Sequence, residues 1–174
     1  KPISGLVISL PEGREDIINN ILVTAGTYFT PEGRDEVLVS KEFALARGIN
    51  PGDDITLVMK GTEKSLRVVG SAISSEFVYL IPPGSTTPNP MEFGIFYVKR
   101  ALAEEELNFS GAINSVVGIL SPKARANPEP VLRELEDLLK PYGVFATTPL
   151  PKQISNLSLS AELQGLSSMA FIMP

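Results

Sequence analysis

The sequence predicts an α+β protein, a β-rich part followed by a smaller β-α-β part, and three observations carry that prediction. Short β-favouring runs broken by Gly and Pro dominate residues 1–95. Later, one strongly amphipathic helix with Val131, Leu132, Leu135, Leu138 and Leu139 on a single face lies between two further β-favouring runs. Nowhere does an apolar run reach the ~18 residues of a membrane span.

Ile3 to Leu10 alternates loosely and is stopped by Pro11-Glu12-Gly13, which reads as a strand and a turn. Ile17, Ile18, Ile21 and Leu22 have spacing that permits a helical turn, or irregular chain running into the segment from Gly26 to Phe29. Thr30 to Asp35, with Pro31 and Gly33, is a loop. Glu36 to Val39 then reads as a strand, Ser40 as the cap of a short helix carrying Phe43, Ala44 and Arg47, and Gly48 as its end. Pro51-Gly52-Asp53 is a turn in which Gly52 takes a positive φ. Asp54 opens a strand with Ile55, Leu57 and Met59 on one face. Lys60 to Lys64 turns the chain into Leu66, Arg67 and Val68, which completes a hairpin.

Phe77 to Ile81 is a strongly β-favouring run closed by Pro82. The Pro-rich loop 82–93 follows, then a strand from Gly94 to Val98 and a short helix from Ala101 to Leu107. In the β-α-β part, Ser115 to Leu120 is the first strand. Asn127 caps the amphipathic helix, Pro128 sits in its first turn, and Val144 to Thr147 is the second strand. From Asn156 the chain reads as a helix that becomes more apolar toward Ala170, Phe171, Ile172 and Met173.

Preceded by Gly26-Thr27-Tyr28-Phe29, the series Glu36, Val37, Ser40, Ala44, Gly48, Gly52, Asp53, Ile55, Leu57, Val68 and Gly70 resembles the extracytoplasmic (periplasmic core) domain of FtsX-like, MacB-type ABC transporter permeases. The likeness runs in order from Gly26 to Gly70, with a fainter one from Asn114 onward. It implies a β-rich sabre-like part over 1–95 that includes the loop 82–93, a porter-like β-α-β part over 96–155, and a pre-membrane helix over 156–174. In that family a first β-α-β unit lies between the first transmembrane helix and the β-rich part. The family domain has no catalytic residues and no cofactor. It couples ATP-driven motion to substrate export or to an extracytoplasmic partner.

The resemblance places the domain on the extracytoplasmic side of the plasma membrane. Its implied partners are an ATP-binding subunit reached through the membrane domain, a homodimer mate or second permease, and an extracytoplasmic protein or lipoprotein. The expected continuation is ~20 mainly apolar residues past Pro174 and another such span upstream of Lys1. The alternative from another class is a free-standing extracellular binding or adhesion module.

Composition narrows the chemistry independently. With no histidine and no cysteine, the chain lacks the commonest general base, the commonest metal ligand and any thiolate. No nucleic-acid partner is expected, because the net charge is −5 and no Lys/Arg cluster is interleaved with aromatics. Asp53-Asp54 follows a glycine but lacks the alternating ligands and closing Glu of a calcium loop. Glu104, Glu105 and Glu106 are consecutive and fan around a helix instead of converging. The candidate contact residues are Pro88, Pro90, Met91 and Phe93, since prolines stiffen the loop and Met91 and Phe93 offer adaptable apolar surface. The competing reading tucks both side chains under the loop. Gly26, Gly48, Gly52, Asp53 and Gly70 are the expected structural turn residues.

Overall fold

The computed structural model describes residues 3–143, 147–153 and 156–164. They belong to two compact units that divide between Val116 and Val117. The first contains a mixed sheet of six strands: β1 (Ser4–Leu10), β2 (Ile21–Gly26), β3 (Glu36–Ser40), β4 (Asp54–Met59), β5 (Thr62–Ser74) and β6 (Phe93–Lys99). Two helices, α1 (Lys41–Arg47) and α2 (Arg100–Leu107), follow β3 and β6 directly.

The strands are ordered β1-β6-β3-β5-β2, and β4 also pairs with β5. Thirteen residues long, β5 forms a hairpin with β4 through its first half, pairs antiparallel with β2 through its second, and carries β3 parallel on its other edge. Parallel pairing joins β1 to β6, and β3 is antiparallel to β6. Every residue of β3 and β6 is buried, which is why both read as continuous apolar runs and not as alternating ones. Val37, Leu38, Val39, Ile95, Tyr97 and Val98 form the centre of the core, and Phe43 of α1 packs edge-on against Phe96.

The stretch from Glu36 to Gly70 is built as its sequence reads. Gly48 ends α1 with φ 67°, and Gly52 has φ 99° in a turn closed by the Asp53 N–H donating to Asn50 O at 3.1 Å. Asp53 also accepts from Asn50 N–H through its carboxylate (2.7 Å). The β4–β5 turn is Lys60-Gly61, both at positive φ, as tight hairpins prefer. Gly26 and Gly70 are register partners: a Cβ on Gly26 would lie 2.2 Å from Val69 O, and one on Gly70 2.5 Å from Ala25 O. Only glycine lets β2 and β5 approach so closely.

Several elements differ from the sequence reading. Ser40 precedes α1 without capping it, because its Oγ accepts from Ile95 N–H on β6 instead. Residues 77–81 are not a strand: they pair with none of the six strands, and Leu80 is instead fixed by burial in the core. Ser115 to Leu120 likewise lacks any ladder, so its β propensity finds no partner. Ile17 to Leu22 resolves into a turn with Asn19 at φ 59°, followed by β2. A boundary at 95/96 would cut β6, which lies between β1 and β3 and belongs to the first unit.

Among the described residues, the second unit holds the α-helices α3 (Pro122–Ala126), α4 (Glu129–Leu139) and a helical segment 156–164. α3 was not legible in advance. Ser121 caps it, so Asn127 closes α3 instead of opening α4, and Pro128 stands at the start of α4. The apolar face of α4 is only partly covered: Val131, Leu132 and Leu139 are half-buried, while Leu135 and Leu138 are exposed, Leu138 at 68%. Of the expected strand Val144 to Thr147, residues 144–146 lie outside the described residues, as does the apolar end from 165.

Candidate functional site

The expected contact loop separates into unlike parts. Met91 is exposed, and Pro88 with it, whereas Pro90 is half-buried and Phe93 is only 7% exposed, the first residue of β6. Phe93 therefore belongs to the core and not to a contact surface. The loop is ordered by its own main chain: Ser85 N–H donates to Pro82 O (3.0 Å), Asn89 N–H to Leu80 O (2.8 Å) and Phe93 N–H to Asn89 O (3.0 Å). Of the structural turn residues, Gly26, Gly48, Gly52, Asp53 and Gly70 all stand at turns or close crossings, as described above.

A polar site that the sequence did not announce sits at the end of β6. Lys99 is 4% exposed, and its Nζ donates to the carbonyls of Thr30 and Gly33. The carboxylates of Glu12 and Glu36 lie 3.8 and 3.9 Å from the same nitrogen. Glu36, also buried, accepts from the N–H and hydroxyl of Thr30 at 2.8 and 2.6 Å. A Cβ on Gly33 would fall 2.1 Å from Glu36 Oε1, so the loop closes over the carboxylate only because glycine stands there. One ammonium and one carboxylate thus satisfy the main chain of the loop from Thr30 to Gly33 from both sides.

Around this knot lies a cleft of about 230 Å³ whose charged lining includes Glu12, Arg34, Asp35, Lys64, Lys99 and Glu105. Arg34 pairs with Glu105 on α2 at 3.3 Å, and Lys64 of β5 bridges Asp35 (3.0 Å) and Glu106 (3.1 Å). Donating hydrogen bonds to Asp35 and then to Glu106 raises the Lys64 pKa above the usual lysine range. Glu106, one of the three consecutive glutamates on this helix, is drawn into this network. Lys99 Nζ is committed to two main-chain carbonyls, with two carboxylates close by. The arrangement clamps the loop from Thr30 to Asp35 to β6, α2 and the β4–β5 hairpin.

Tyr97 lies on the same strand, 2% exposed. Burial pushes its phenol up to about 12; the nearby Ser74 hydroxyl acts in the opposite sense, and Glu76 and Glu42 add to the rise. No atom stands at hydrogen-bonding geometry to its Oη, while Ser74 Oγ accepts from Glu76 N–H. Among the described residues no cluster of three or more acidic side chains converges as a metal site. No described helix is long and apolar enough to cross a membrane.

Neither Lys99 nor Glu36 carried a local motif, and the Lys99–Gly33 contact spans 66 positions. The one available signal was a charged residue closing a fully apolar run, FGIFYV before Lys99. No protein-family model, curated protein or solved structure matches the chain.

Proposed function

We propose that this chain is the extracytoplasmic domain of an ABC transporter permease of the FtsX-like, MacB type. It couples ATP-driven motion in the membrane to substrate export or to an extracytoplasmic partner. In this reading the sheet unit corresponds to the sabre-like part and the helical unit from Val117 to the porter-like part. The observation that carries it is that residues bearing the resemblance hold key positions in the sheet unit. Gly26 and Gly70 make the tight β2–β5 crossing, Gly48 and Gly52 take left-handed φ, and Glu36 anchors the buried knot.

Such a domain performs no catalysis of its own. Its task is mechanical, and a clamp that ties loop, hairpin and helix to one sheet lets the unit move as a body. The partners in this reading are an ATP-binding subunit reached through the membrane domain and a second permease or an extracytoplasmic protein. The test is the gene together with its product. Apolar spans of ~20 residues should flank the coding region on both sides, and the tagged full-length protein should co-purify from membranes with an ATP-binding subunit. A product without spans, recovered alone outside the cell, would favour the free-standing binding module and sink the transporter reading.

A further inference from the structure

β1 is an edge strand: β6 runs along one side, and no described strand runs along the other. Ser4 N–H points to the β6 side, where it donates to Glu92 O at 3.2 Å. Main-chain groups alternate in direction along a strand, so Gly5, Val7 and Ser9 turn their N–H and C=O outward. Gly5 and Ser9 are exposed, and Leu6 between them and the next turn of the pleat is 42% exposed.

The sheet's other edge strands carry guards against edge-to-edge pairing. β2 has a bulge between Val23 and Ala25, and β4 opens with Asp54 paired to Arg67. β1 reads SGLVISL, with no charge, no proline and an unbroken register. Nothing in it keeps another strand away.

We propose that β1 is a self-association edge, on which β1 of a second copy pairs antiparallel about a two-fold axis through Val7. In that register Val7 faces Val7, Gly5 faces Ser9 and Leu6 faces Ile8. The outward donors and acceptors then satisfy one another, and every cross-strand side-chain pair is uncharged. For a chain of net charge −5, a charge-free seam is where two copies meet with least repulsion. Pro11, which has no N–H, ends the ladder on each strand. Seven residues bury far less than the ~1,200 Å² of a stable interface, so the dimer is weak and concentration-dependent. This proposal stands on the sheet alone and does not require the transporter reading.

The chain contains no cysteine, so a single Val7→Cys reports the register directly. Opposed hydrogen-bonded residues lie ~5.5 Å apart at Cα, within disulfide reach. Sedimentation equilibrium of the unmodified chain from ~10 μM to ~1 mM should show a rise toward dimer. Val7→Cys should oxidise to a covalent dimer at least tenfold faster than the exposed control Thr86→Cys. Ser9→Lys, at an exposed position, should abolish association while leaving the melt unchanged. A monomer at every concentration, cross-linking no faster than the control, or association that survives Ser9→Lys would each overturn the proposal.

Discussion

Two buried side chains on β6 make opposite predictions. Tyr97 Oη is buried without a hydrogen-bond partner, so Tyr97→Phe removes a desolvated hydroxyl and is expected to leave the protein as stable or more so at neutral pH. Its folded-state pKa of about 12 stands above the ~10 of an unfolded tyrosine. Because burial disfavours the phenolate, this group leaves folding stability unchanged with pH below about pH 10 and lowers it as pH rises toward 12, by an order of ~2 kcal/mol. Lys64, also raised, loses its contribution on the same alkaline side. Chemical denaturation from pH 8 to 12 should show Tyr97→Phe falling less steeply than the parent; parallel curves would remove Tyr97 as the cause. Lys99→Met, by contrast, strips the cation from two main-chain carbonyls and from the buried Glu36, and should cost ~3 kcal/mol by urea melting at pH 7. A loss below 1 kcal/mol would mean that the knot is not what holds the loop. Neither role was legible in the sequence, because burial of Tyr97 and Lys99 is decided by strands distant in the chain.

At the scale of elements, legibility tracked local chemistry. The turn at Gly52, the Lys60-Gly61 hairpin and the alternation of Leu66 and Val68 each depend on residues within a few positions, and each stands where the sequence puts it. Ser115 to Leu120 and Phe77 to Ile81 are β-favouring too, but neither joins the sheet, because pairing is decided by tertiary contacts that local propensity does not encode. Ser40 shows the same limit from another side, since its hydroxyl serves β6 and not the helix it precedes. The glycines allow a graded test. Gly52→Val meets no steric obstacle but must hold φ 99°, and is expected to destabilise by ~1 kcal/mol or more. Gly70→Ala drives a methyl against two main-chain oxygens, Ala25 O at 2.5 Å and Thr27 O at 2.8 Å, and should cost more, ~2–3 kcal/mol. The reverse order in thermal melts would contradict the close β2–β5 crossing.

For the whole molecule, the α+β class was readable from composition and periodicity, while the division of the chain was not. The sequence reading began the β-α-β part at residue 96, yet β6 and α2 belong to the sheet unit, and the compact division falls after Val116. Among the described residues every buried hydrophobic, from Leu10 to Ala103, lies before that point. A fragment ending at Val116 is therefore expected to melt cooperatively, with a midpoint close to that of the full chain; a non-cooperative melt would show that the second unit is needed to hold the sheet together.

Placement outside the membrane is the claim on which the functional account rests. A single Ser110→Cys, at an exposed position of a cysteine-free chain, introduced into the protein as its gene encodes it, can be probed in intact cells with a membrane-impermeant thiol reagent. The account predicts membrane-associated protein labelled at that residue without lysis. Labelling only after the cells are broken would contradict it.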